Sequence, residues 1–166
     1  LESGGVDDFI PFPPDTIVYP PVKVDHLVAE GGKVTLGGTT LTAHLTPGHT
    51  RGATTWTMTV EEQGRTLHVV FFSSMTVNPG VRLWQNPQYP QIREDYETTF
   101  ARLKALPCDI FFAPHAYQFG MTEKFAQMDR DATVDPFIDP AGWTTLLANG
   151  ETAFRNQLEA EQKAAH

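Results

Sequence analysis

Polar and apolar residues alternate from Thr54 to Val60, with Trp56, Met58 and Val60 on one side and Thr55, Thr57 and Thr59 on the other. That period predicts a half-buried strand. Leu67–Phe72 (LHVVFF) is apolar more continuously, as expected of a strand buried on both faces. Lys33–Leu36 and Thr40–Thr46 flank Gly37-Gly38 and predict a hairpin. Asp109–Ala113 is a further buried strand, and it runs into Pro114-His115. Elsewhere the period becomes helical. Tyr96, Phe100 and Leu103 mark a helix over Glu94–Leu106, with acidic residues in its first turn and Pro107 at its end. A short helix is expected around Thr122–Met128. A longer one from Pro140 to Gln162 carries the stripe Trp143, Leu146, Leu147, Phe154 and Leu158, with Asp139 as its N-cap. Residues 1–24 are proline-rich and aperiodic, which predicts an irregular, extended lead-in. Ser73–Pro90 is a long loop rich in Asn, Pro and Gly, of a length that is often functional. Strands dominate the first half and helices the second, so the pattern predicts a layered α/β domain whose last helix covers a sheet face.

Composition narrows the function classes. At 166 residues the chain is long enough for one domain with a real core and too short for two. A net charge of −8 with scattered basic residues argues against nucleic acid as a partner. No apolar run approaches the roughly 18 residues of a membrane helix, so no membrane partner is expected. The single cysteine, Cys108, has no internal disulfide partner and excludes a multi-thiolate zinc site. It follows Pro107 at the start of a buried strand, the setting of an inert packed thiol, with Cys–His catalysis left open. No G-x-S-x-G elbow, P-loop or dinucleotide-binding glycine pattern is present. The acidic pairs Asp7-Asp8, Glu61-Glu62 and Glu94-Asp95 belong to turns and a helix N-terminus.

Six histidines remain as candidate chemistry. His166 is terminal and His26 lies in a polar stretch. His68 sits in a buried-looking strand and is expected to be a hydrogen-bonded core residue. His44 shares a strand face with Thr42 and Thr46, where a structural role is favoured over support of a site. His49 and His115 differ, because each directly follows a strand and a proline or glycine. In layered α/β proteins, strand ends are where sites assemble from distant parts of the chain. Neutral imidazole is the commonest metal-binding side chain, so the two could converge on one metal. A catalytic zinc needs three protein ligands, and two are in view. By composition and spacing alone, a structural role for both histidines stays open.

The segments LTAHLTPGHTRGATTW, NPQYPQIREDYETTFARLKALPCDIFFAPH and PPVKVDH…VTLGGTTL resemble the subclass B3 metallo-β-lactamases over about residues 1–160. The GHT motif alone would point only to the wider superfamily; joined to NPQYP, EDY and ALPCD…PH it is far more specific. The resemblance implies an αββα sandwich, with residues 1–166 a single partial domain: the C-terminal half, a mixed sheet with covering helices. It implies hydrolysis of the β-lactam amide bond in the bacterial periplasm, two Zn2+ ions per complete site, and a zinc-bound hydroxide as nucleophile. On this reading His49 and His115 are metal ligands. Ser74 replaces a metal-binding cysteine near the second zinc, and Thr76 receives the substrate carboxylate; as ordinary loop hydroxyls both have a plain alternative. The family's H-x-H-x-D-H motif is absent from these residues, so the missing N-terminal half is expected to precede Leu1 and to act as a partner, leaving the chain inactive alone. Val81 stands where some members carry a tyrosine, and Cys108 where some have a disulfide. The alternatives are another hydrolase on the same scaffold, a glyoxalase II-like thioesterase or a lactonase, or an inactive zinc-poor fragment.

Overall fold

The computed structural model describes residues 1–10 and 18–165. Five strands form one mixed sheet in chain order: β1 (Lys33–Leu36), β2 (Thr39–Leu45), β3 (Thr54–Glu62), β4 (Arg65–Phe71) and β5 (Ile110–Phe112). The first four pair antiparallel, and β5 adds parallel to β4. Gly37 and Gly38 turn β1 into β2 with φ of 57° and 85°, both left-handed, as the tight turn of a twisted hairpin demands. The helices are α1 (Ile92–Ala105), α2 (Met121–Arg130) and α3 (Pro140–Ala164), with a 3₁₀ turn at Ala116–Phe119. That 3₁₀ turn has no helical period and is not foreseen by pattern. The other elements fall within two residues of their predicted ends. Phe72–Gln91 is irregular throughout, as expected of the long loop.

The core lies between one face of the sheet and the helices α1 and α3. Phe72 meets Trp143 edge-on at 5.7 Å, Phe111 lies 5.6 Å from Trp143, and Phe154 packs on both Tyr96 and Phe100. Trp143, Leu147 and Phe154 are buried, so α3 does cover the sheet. Its N-cap is Asp139, whose Oδ1 accepts the Gly142 amide at 2.8 Å. The same carboxylate meets Lys124 of α2 at 2.9 Å, which ties the two helices together.

Two strands differ from expectation. In β3 the most buried residue is Thr55, at 0% exposure, while Trp56, Met58 and Val60 are only half-buried. Register explains this: Trp56 pairs with Phe71, so Thr55 shares the helix-covered face with Val70 and Phe72. Its hydroxyl is satisfied by Thr46 at 3.0 Å, which removes the penalty for burying it. In β4, Leu67, Val69 and Val70 are buried, as is Phe72 just beyond it, yet Phe71 remains 37% exposed and stacks on Phe112. The sheet's second face, with Trp56, Met58 and Phe71, is therefore only partly covered by the described residues.

Candidate functional site

Strands β2, β4 and β5 run in the same direction, because β3 is antiparallel to both β2 and β4 and β5 is parallel to β4. Their C-terminal ends consequently share one edge of the sheet. His49 follows β2 there, Ser74 and Thr76 follow β4, and His115 follows β5. Topology thus brings four residues from three distant segments to a single rim, the place where α/β sheets carry their sites.

His49, Ser74 and Thr76 form one hydrogen-bonded group. Nδ1 of His49 lies 2.7 Å from the Thr76 carbonyl oxygen. A carbonyl only accepts, so Nδ1 carries a proton, and in the neutral ring Nε2 keeps its lone pair free. This is the arrangement found in metal-binding histidines, whose second nitrogen is anchored by a backbone carbonyl or carboxylate. Ser74 is buried, at 7% exposure, and its Oγ accepts the Thr76 amide at 3.3 Å and lies 3.1 Å from the Thr76 hydroxyl. Thr76 itself is exposed.

Helix α1 holds the turn that carries His49. Thr99 donates to the Pro47 carbonyl at 2.7 Å, and Tyr96 donates to the Thr76 carbonyl at 2.8 Å. Arg102 donates to the Leu45 carbonyl and pairs with Glu30 at 2.9 Å. Asn78 reaches over from the loop to the His49 carbonyl at 3.0 Å. Gly48 has φ 137° and lies so close to Tyr96 that a Cβ would meet ring carbons at 2.9 Å. Gly52, by contrast, has open space around it. Only the first of the two glycines flanking His49 is therefore demanded by geometry. Asn78, Tyr96 and Thr99 were not singled out as site residues by sequence. The signal for Tyr96 was hidden, since its ring also belongs to the apolar stripe of the helix.

His115 sits outside that bonded group, on the same rim. It is exposed, its ring stacks on Tyr117 at 5.5 Å, and its amide donates to Gln118 Oε1 at 3.2 Å. Val81 is buried in the core at 5% exposure, so it presents no side chain to the rim. Among the described residues, no three His, Cys, Asp or Glu side chains come close enough to hold an ion. The chemistry of His49 and His115 suits part of a zinc set and falls short of the three protein ligands required.

The remaining histidines have other partners. His44 bonds Thr57 at 2.9 Å and faces Glu30 at 3.5 Å, a structural role as expected. His68 is hydrogen-bonded to Asp109 at 3.0 Å, as foreseen, but its side chain is 43% exposed, so it is not a core residue. Asp109 is held below the ordinary carboxylate range, first by the His68 amide and then by the His68 ring. That pair lies toward the opposite edge of the sheet. His26 is exposed, and His166 lies outside the described residues. Burial, followed by the neighbouring charges of Asp109 and Asp139, pushes the Cys108 thiol up to about 12, against a role as nucleophile.

No protein-family model matches the chain. Solved structures do. The chain is similar to the native FEZ-1 metallo-β-lactamase from Legionella gormanii at 38% identity and a TM-score of 0.91, covering 97% of this chain and 61% of that one. It is similar to BJP-1, a subclass B3 metallo-β-lactamase of Bradyrhizobium japonicum, at 41% identity and a TM-score of 0.87, covering 100% and 62%. A metallo-β-lactamase of Cronobacter sakazakii matches at 38% identity and 0.85, covering 97% and 60%. The chain thus spans about three fifths of the length of these proteins. Identity and fold agree over nearly all of its residues, so the chain is similar to these metallo-β-lactamases, BJP-1 of subclass B3 among them, and shares about three fifths of their fold.

Proposed function

We propose that the complete protein is a zinc-dependent hydrolase of the β-lactam amide bond. The observation that carries this reading is the His49 ring, whose Nδ1–H donates to the Thr76 carbonyl and whose neutral form therefore keeps Nε2 unprotonated for a metal. His49 and His115 would each hold zinc, with two ions in the complete site. The remaining ligands come from the part of the relatives' length that this chain does not span. When bound, zinc supplies a Lewis acid and a water acidified to a pKa of about 7.

The chain's own residues then bind and orient. The exposed Thr76 hydroxyl is placed to donate a hydrogen bond to the substrate carboxylate. Buried Ser74 shapes the loop behind it, since its hydroxyl is already engaged by Thr76. No serine nucleophile is called for. Export to the periplasm and a role in antibiotic resistance complete the proposal. Among the described residues, no helix is long and apolar enough to cross a membrane.

Imipenem and a glutathione thioester, assayed side by side on the complete protein, test the reading. Turnover of imipenem that EDTA abolishes and Zn2+ restores is expected. Thioester turnover without imipenem turnover would assign the site to the glyoxalase II-like alternative. His49→Ala is expected to remove most zinc affinity and activity, and a variant retaining both would overturn the ligand assignment.

A further inference from the structure

The Thr76 carbonyl oxygen receives two donors: the His49 ring at 2.7 Å and the Tyr96 hydroxyl at 2.8 Å. Tyr96 is 1% exposed, wedged between Phe100 and Phe154 from one side and the Gly48 backbone from another. Its hydroxyl is therefore a fixed point in the rigid layer of the molecule. The Thr76 peptide, by contrast, belongs to an irregular loop, and its carbonyl direction is set by what it bonds.

We infer that Tyr96 is a positioning residue for His49: its hydroxyl pins the Thr76 carbonyl so that His49 is kept in the Nδ1–H tautomer and Nε2 is presented to the rim. The inference builds on the metal-site reading above. A carbonyl oxygen has two lone pairs, and here the core donor takes one while the ring takes the other. Without the hydroxyl, the carbonyl is free to rotate with its loop. The nearby Thr76 hydroxyl, 3.3 Å from Nδ1, is then available to donate to that nitrogen. That exchange would reverse the tautomer and put the proton on Nε2. The same peptide bears the Thr76 side chain, so Tyr96 sets the bearing of both rim groups at once.

The test is Tyr96→Phe in the complete protein, which keeps the ring and its packing. In the metal-free state, ¹⁵N spectra of the imidazoles are expected to show His49 as a single Nδ1–H tautomer in the parent and as a mixture in the variant. Zn2+ or Co2+ affinity, measured by chelator competition, is expected to fall about tenfold, the low end for groups behind a ligand. Asp139→Asn, which breaks an ion pair at the opposite edge of the sheet, should lower stability while leaving tautomer and affinity unchanged. A Tyr96→Phe protein with the parent's single tautomer and parent affinity would overturn the inference. The metal-free spectra decide the role of Tyr96 even where His49→Ala and His115→Ala leave metal affinity intact and the metal reading fails. In the unsubstituted protein, the same lock predicts a slowly exchanging Nδ1 proton on His49; rapid exchange would also count against it.

Discussion

Gly48 is where one residue decides whether the rim forms. A side chain there meets two obstacles, a φ of 137° that only glycine tolerates and the Tyr96 ring at 2.9 Å. Gly48→Ala is expected to cost about 2–4 kcal/mol, from backbone strain and overpacking together. Gly52→Ala, with open space, should cost under about 0.5 kcal/mol, as for a surface change away from such features. Denaturant titration of both variants checks the contrast, and equal losses would sink it. Cys108 offers a second measurement at this scale. Burial holds its thiol well above the ordinary 9.0, so it carries far less thiolate at neutral pH than an exposed cysteine. Iodoacetamide should therefore label it at least about a hundredfold more slowly in the native than in the denatured protein. Comparable rates in the two states would contradict the burial argument.

At the scale of elements, the join between α2 and α3 depends on Lys124 and Asp139. Lys124 is 9% exposed, and its ammonium lies 4.9 Å from the Phe111 ring centre, so removing its partner leaves a nearly buried charge. Burial acts to raise the Asp139 carboxyl, but the Lys124 ammonium and the Gly142 amide outweigh it and hold the group below its ordinary 3.8. A depressed carboxyl contributes stability that is complete above the unfolded value and is lost as pH falls through the folded one. Asp139→Asn is expected to cost about 2 kcal/mol at pH 7, below the range for a fully buried pair. Its deficit should shrink as pH falls below 3.8 and the parent carboxyl protonates. Thermal melts of parent and variant from pH 7 to pH 2.5 report this directly; a gap independent of pH would refute the linkage.

For the molecule as a whole, the sheet has one face under helices and one face partly open. Trp56, Met58 and Phe71 line the second. Apolar side chains left partly open on a sheet face are candidates for cover by another piece of protein. The 166-residue chain made on its own is expected to bind a hydrophobic dye and to self-associate in sedimentation velocity. Two rim imidazoles also fall short of the three ligands of a catalytic zinc, so the same preparation should lack tight zinc affinity and imipenem turnover. A monomeric, dye-free chain that binds zinc tightly would show that the described residues suffice.

Local pattern alone determined most of the elements. Alternation, turn glycines, Pro107 and the Asp139–Pro140 cap are short-range signals, and they located the strands and helices to within two residues. The proline and glycine beside His49 and His115 likewise marked both residues as unusual, and the motifs carried the family resemblance. Tertiary structure decided what depends on register and direction. Which face of β3 is buried follows from Thr55 lying beside Phe72 and finding a hydroxyl partner in Thr46. That the rim gathers His49, Ser74, Thr76 and His115 follows from β2, β4 and β5 running the same way. The second role of Tyr96 required both, because a ring counted as core by its spacing places its hydroxyl on the Thr76 carbonyl only once α1 packs against the turn after β2. Such bonds join residues 20 and more positions apart, where chain periodicity carries no information about who meets whom.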